Sequence, residues 1–307
     1  MKNDFRKLGI ILPAALLSLV AVILRSVAAV RDMDSATGFY GGSPLVTISD
    51  LLMTAAAAVL MISLFIKVGN PSLRGGARSL ASYASSGVIA ISALLIAVDL
   101  VLYISSQTRG GFIDDMLANR SSAVALLAVL LAVAAAVLSV LSVFLSEART
   151  SLRGICDMAT ALFFGIYATF LFFRLGDTIN QPQKVVTEMA ALSMAVFMLE
   201  CARLCIGRER PGAYLALGTL TAALSANAFF PALAVCIFRG EVIAFSVYEM
   251  ILTGAIFAFT VLRLATVIGF KKVEELAADA EDGSKISAED ALTAEERQIS
   301  DEENSGN

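Results

Sequence analysis

The sequence predicts an all-α protein: a polytopic integral membrane helical bundle of eight transmembrane helices arranged as two parallel four-helix repeats. Three observations predict it. The chain holds eight apolar stretches of spanning length, its links alternate in cation content, and short motifs recur in order in its two halves. Of the 307 residues, 58% are hydrophobic and 16% charged. A water-soluble domain of this size needs more polar surface, so lipid must solvate much of the chain.

Taken in order, the apolar stretches lie near 8–30, 45–67, 80–104, 121–146, 155–174, 185–206, 213–238 and 242–269. Each meets the roughly 20 residues that a helix needs to cross the hydrocarbon layer. The first has a rival reading as a secretory signal with Ser26-Val27-Ala28 as its cleavage site. The apolar run Leu8–Leu24 is longer than a signal core, and Arg25 is a poor neighbour for a cleavage site, so a retained span is the better reading.

The links sort by charge. One set carries Lys2, Arg6 and Lys7; Lys67, Arg74 and Arg78; Arg149 and Arg153; Arg203, Arg208 and Arg210; and Lys271 and Lys272. The alternate set carries Arg31, Arg109, Arg120, Arg174, Lys184 and Arg239, nearly matched by Asp32, Asp34, Asp114, Asp115, Asp177 and Glu241. The positive-inside rule then places both termini in the cytoplasm, in a multi-pass protein of the plasma membrane. The formal net charge of -4 comes from acids crowded between Glu274 and Glu303. From Ala277 onward the chain is polar and lacks aromatics, so it reads as a disordered cytoplasmic tail.

The two halves correspond. Span 1 ends in Arg31-Asp32-Met33-Asp34 and span 5 in Arg174-Leu175-Gly176-Asp177. Pro44 precedes Asp50 by six residues, as Pro182 precedes Glu188. Tyr83 and Gly87 open span 3 as Tyr214 and Gly218 open span 7, and Arg109-Gly110 and Arg239-Gly240 follow those spans. This order predicts a first repeat over 1–150, a second over 151–272 and the acidic tail over 273–307, the repeats related about an axis along the membrane normal. Shared constraints are the competing explanation, since tyrosines favour interfaces and prolines favour helix starts. Two segments, Ser35–Gly42 and Gly111–Asn119, are extra in the first half.

Ionisable groups inside spans cost about 2.5–3.5 kcal/mol each at the bilayer centre, so those present need partners or water. Arg25, Asp50 and Asp99 fall in one outer layer, which predicts an ion pair of Arg25 with Asp50 or Asp99. Arg174 and Glu188 are the repeat-equivalent polar residues of the second half. Asn227 precedes Pro231 by four, where the proline leaves the carbonyl of residue 227 without its helical partner. Glu249, eight residues beyond Glu241 and so roughly 12 Å along a helix, is the first choice for a proton- or cation-handling group, meeting Arg25 or Arg174 or staying protonated. The structural alternatives are a capping box of Thr47 with Asp50, a helix-start charge at Glu188, and a lock between helices for Arg25. Glu200 and Arg203 read as a local pair one turn apart, and Asp157, Arg263 and Lys67 as span-end charges with no special role.

The chain has no histidine, which removes histidine-ligated metals and haem and the Ser-His and Cys-His nucleophilic pairs. Cys201 and Cys205 share a helix face, but they lack neighbouring metal ligands and read as packing residues. No Walker loop, dinucleotide fingerprint or DNA-binding motif occurs, so no cofactor, metal or nucleic acid is expected. Three classes remain. One is a transporter or channel-like carrier for a small solute or ion, with a binding site drawn from Arg25, Asp50, Asp99, Glu249 and Asn227. Another is a non-transporting scaffold, sensor or accessory subunit, whose protein partner would dock on the acidic tail. The weakest is an intramembrane enzyme acting on a lipid, since no second acid–base group accompanies Glu249 and no catalytic residue can be named.

Overall fold

A computed structural model describes residues 4–34, 37–65, 80–107, 120–144, 150–174, 181–206, 208, 210–241 and 247–265. Helix is the regular structure throughout these residues, apart from one isolated bridge between Met33 and Tyr40. The helices are α1 (Asp4–Asp32), α2 (Pro44–Phe65), α3 (Leu80–Gln107), α4 (Arg120–Phe144), α5 (Thr150–Phe173), α6 (Pro182–Cys205), α7 (Pro211–Arg239) and α8 (Val247–Ala265). All eight are long and apolar enough to cross a membrane. The acidic tail, Gly111–Asn119, Arg109-Gly110 and Asp177 lie outside the described residues.

Helix is the expected state here because a spanning backbone must satisfy its own amides and carbonyls. Pro44, Pro182 and Pro211 each occupy the first helical position, where the missing N–H is no loss. Serines and threonines inside the spans turn their hydroxyls onto carbonyls three or four residues back, as Ser18 does to Ala14, Ser225 to Thr221 and Thr260 to Ile256. These prolines also correct two expectations. Asp50 and Glu188 each stand six residues beyond a first-position proline, inside the helix, so neither is a capping or helix-start charge.

The pattern of burial is inside-out. In α1 the buried positions are Ala14, Ser18, Ala21, Arg25 and Ala28, while Leu12, Leu16, Leu19 and Ile23 face outward. In α4 the alanines 125, 128, 132, 135 and 136 are buried, and Leu127, Leu130, Val133, Val137 and Val140 are exposed. Water would not tolerate so continuous an apolar surface. In lipid it is the expected arrangement, with small residues letting helix backbones approach.

Contacts at the two ends show that the helices alternate in direction. At one end, called here the far end, the C-terminal ends of α1, α3, α5 and α7 meet the N-terminal ends of α2, α4, α6 and α8. Tyr103 of α3 meets Ser121 of α4, Gln181 before α6 reaches Thr37 after α1, and Arg174 after α5 pairs with Glu249 of α8. At the near end Cys205 of α6 meets Asp157 of α5, and Tyr214 of α7 meets Arg263 of α8. The start of α1 and the end of α8 therefore lie at the same end of the bundle.

Helix α7 is the hub, packed on α1, α2 and α6 and, through Phe230 on Phe257, on α8. It runs parallel to α1, with Leu215 and Leu220 beside Ile11 and Ala14, Ala226 beside Val22, and Val235 beside Met33. Its small residues permit this. A Cβ on Gly218 would stand 2.7 Å from Leu264 and 3.0 Å from Phe197. The remaining helices follow in sequence from α6 through α5 and α4 to α3, and among the described residues α2 and α3 do not touch.

Candidate functional site

Polar side chains gather in three places in the far half of the bundle. The first is built on α1 and α2. Arg25, 2% exposed, donates from Nη1 to Asp50 Oδ1 at 2.5 Å, and its guanidinium lies 5.6 Å from the centre of the Tyr40 ring. Ser49 Oγ donates to the carbonyl of Ala21 at 2.8 Å and holds the two helices in register beside the pair. The Asp50 side chain is half exposed. Tyr40 belongs to the hairpin 33–43, and burial pushes its phenol above the ordinary tyrosine range, so it stays protonated.

That hairpin crosses the far end. Arg239 at the end of α7 donates to the Met33 carbonyl at 2.5 Å, and Gln181 before α6 donates to the Thr37 carbonyl at 2.9 Å. Gly38 turns with φ +70°, and a Cβ there would stand 2.4 Å from Gln181 Nε2. Only glycine meets both demands.

The second place joins α5, α8 and α3. Arg174 donates to Glu249, which is 2% exposed, and its guanidinium lies 5.8 Å from the centre of the Tyr103 ring. Tyr103 packs edge-on against Phe170 at 5.2 Å and shares a hydrogen bond with Ser121 at 3.1 Å. Tyr167, fully buried, lies within Coulombic reach of Glu249, Asp99 and Arg174. Arginine, carboxylate and tyrosine thus recur as a unit, once on α1–α2 and once on α5–α8.

The third place is the first turn of α6. Gln183 Nε2 donates to the Ala228 carbonyl at 2.5 Å, next to Asn227 and one turn before Pro231 in the continuous helix α7. Ala228 is eleven residues before Arg239, about 16 Å at 1.5 Å per residue, so α6 starts well below the far end of α7. Lys184 is buried beside it at 1% exposure. Among the described residues, Lys184 Nζ, Gln183 Oε1, Asn227 Oδ1 and the Tyr167 hydroxyl have no hydrogen-bond partner.

The five residues proposed from sequence therefore do not share one locus. Arg25 and Asp50 form one pair, Glu249 pairs with Arg174, Asp99 acts with both of them on Tyr167, and Asn227 belongs to the α6–α7 contact. Of the two partners open to Arg25, the structure has Asp50; of the two open to Glu249, it has Arg174. Arg174 is the first residue beyond α5, which sets the level of Glu249; the 12 Å counted from Glu241 runs through residues 242–246, outside the described set. Glu188 does not repeat the part of Asp50, because Arg174 is engaged by α8. The sequence reading passed over Lys184 by counting it as a link cation. Pro182, two residues earlier, is the signal that it lies inside the helix.

A fourth cluster lies at the near end, where Asp157, Cys201, Cys205, Tyr214 and Arg263 meet. Cys205 Sγ is 3.6 Å from Asp157 Oδ2, and Tyr214 donates to the Arg263 carbonyl at 3.4 Å. Asp157 and Arg263, read from sequence as separate span-end charges, act on one another across α5 and α8. Glu200 pairs with Arg203 on α6, the local pair that their spacing predicts.

Eight apolar spans of crossing length and an outward apolar surface define a multi-pass integral membrane protein in contact with the lipid bilayer. Compared with protein-family models, with curated proteins and with solved structures, the chain has no match in any of the three.

Proposed function

We propose that this protein is a carrier for a small solute or ion in the plasma membrane, with its far end facing out of the cell and both termini in the cytoplasm. The observation that carries this reading is a group of buried polar atoms on α5, α6 and α7 that have no hydrogen-bond partner among the described residues. A buried donor or acceptor without a partner costs about 1–3 kcal/mol, and a charged one more. Lys184, Gln183, Asn227 and Tyr167 all stand in the far half, so a solute or its accompanying water is the natural complement. Pro231 supports the same reading: α7 stays helical through it, but its missing N–H leaves the carbonyl of Asn227 without the usual helical donor, one more polar group beside this region. Arg25–Asp50 and Arg174–Glu249 flank this region as the charged groups that a transport cycle would open and close.

The test is reconstitution of the full chain in proteoliposomes, with currents or uptake recorded on solute concentration jumps. The expected result is a protein-dependent flux that Glu249→Gln and Arg25→Met each abolish while the inserted amount stays the same. Undiminished flux in both variants would dispose of the site assignment. The completeness of the two ion pairs favours a second reading, in which they lock a scaffold together and the acidic tail docks a partner. A stoichiometric partner that co-purifies with the full chain and is lost on deleting 277–307, with no flux for any solute, would decide for it.

A further inference from the structure

The first turn of α6 has the attributes of an anion site. Its N-cap residue, Gln181, offers no side-chain cap, no acid stands in the first turn, and the turn is recessed below the end of α7 under the hairpin 33–43. The first-turn amides of Gln183 and Lys184, Pro182 having no N–H, and the positive end of the helix dipole favour an anion there. The independent observation is Lys184. It is the third residue of α6, and Cβ bonds in a helix tilt toward the N-terminus, which leans its side chain toward that turn. Buried at 1% exposure, Nζ has no hydrogen-bond partner among the described residues.

Among the described residues, the neighbouring charges leave Lys184 without an ion pair. Glu188, one turn further along α6 and half-buried, acts on Lys184 only through the Coulomb field. Gly154 packs on Ala202 and Asp157 meets Cys205, and this antiparallel register places Arg174, at the end of α5, about level with Lys184. Arg174 brings a second positive charge, already engaged by Glu249. An ammonium in a bilayer interior stays charged only with a counter-charge or water.

We propose that this recess binds a small oxyanion, a carboxylate- or phosphate-bearing solute, with Lys184 as its counter-ion and the α6 amides as donors. As the identity of the cargo this rests on the carrier reading; as a binding site it stands alone. The test is thermal unfolding of the purified full chain in detergent, titrated with inorganic phosphate and with acetate at constant ionic strength against chloride. The expected result is a saturable rise in the midpoint with at least one probe. Lys184→Met should abolish the rise or move half-saturation up by about tenfold or more, a loss of about 1.4 kcal/mol. The ligand-free Lys184→Met protein should melt no lower than wild type, since a buried charge without a partner has been removed. Should that variant fail to fold, Lys184→Gln serves in its place.

A flat titration with both probes, or half-saturation unchanged in the lysine variants, overturns the site. A short-chain phosphatidic acid separates the two sources of phosphate: a rise with the lipid and none with inorganic phosphate or acetate overturns the soluble solute in favour of a headgroup. Binding without proteoliposome uptake removes the carrier and leaves the site, while uptake without anion binding removes the site and leaves the carrier.

Discussion

At the scale of single residues, the two arginine–carboxylate pairs differ in what each partner can do when left alone. A guanidinium holds its charge under all ordinary conditions, whereas a stranded carboxylate can take a proton. Arg174 is about one-fifth exposed and Glu249 almost wholly buried, so removing the acid takes the paired carboxylate from a cation that cannot shed its charge. Glu249→Leu is therefore expected to lower stability by about 3–5 kcal/mol and Arg174→Met by less. The double variant should be no worse than Glu249→Leu, because each single change already abolishes the same interaction. Reversible unfolding in mixed micelles titrated with denaturing detergent measures all three, and strictly additive losses would show that the pair is not coupled. Arg25–Asp50 should show the smaller effect of the two, since half of Asp50 already faces outward.

At the scale of elements, the hairpin 33–43 joins α1, α6 and α7 through backbone carbonyls that accept from Gln181 and Arg239. Gly38→Ala must place a Cβ both in the left-handed region and against Gln181, and the first demand alone costs about 1–2 kcal/mol. The expected outcome is a lower unfolding midpoint that Gln181→Ala restores only in part, because it removes the collision and leaves the backbone strain. Full restoration would mean that the turn itself is indifferent to the side chain. This element also shows where sequence reasoning stops. Spans are legible because length and apolarity act locally; all eight were found, with boundaries displaced by a few residues wherever a proline or an uncapped turn extends the helix. The layer holding Arg25 and Asp50 was legible too, since depth follows from counting residues along adjacent spans. Partner choice across the bundle was not, because Arg174 meets α8 and Gln183 meets α7 through packing that no local pattern encodes. Lys184 was missed for a related reason: a cation two residues after a proline belongs to a link by charge and to a helix by geometry.

At the scale of the whole molecule, the arrangement follows from lipid as solvent: many large apolar side chains face outward, while alanines and hydroxyls pack inward beside buried aromatics such as Phe163, Phe164 and Phe197. The alternation of the helices makes one further consequence testable. Positions 37 after α1 and 241 after α7 lie at the far end, and position 208 between α6 and α7 lies at the near end. Between those two helices the near end carries Arg203, Arg208 and Arg210 against Glu200 and Glu209, whereas at the far end Arg239 is met by Glu241. In the orientation proposed above, the near end faces the cytoplasm. Single cysteines placed at 37, 208 and 241 in a chain lacking Cys156, Cys201, Cys205 and Cys236 report this directly. A membrane-impermeant maleimide added to intact cells should label 37 and 241 and spare 208 until the membrane is opened. Labelling of 208 alone would invert the orientation, turn the recess at Lys184 toward the cytosol and make the anion an internal one. Labelling that divides 37 from 241 would break the alternation itself, and with it the common end at which the hairpin, both arginine pairs and the first turn of α6 assemble.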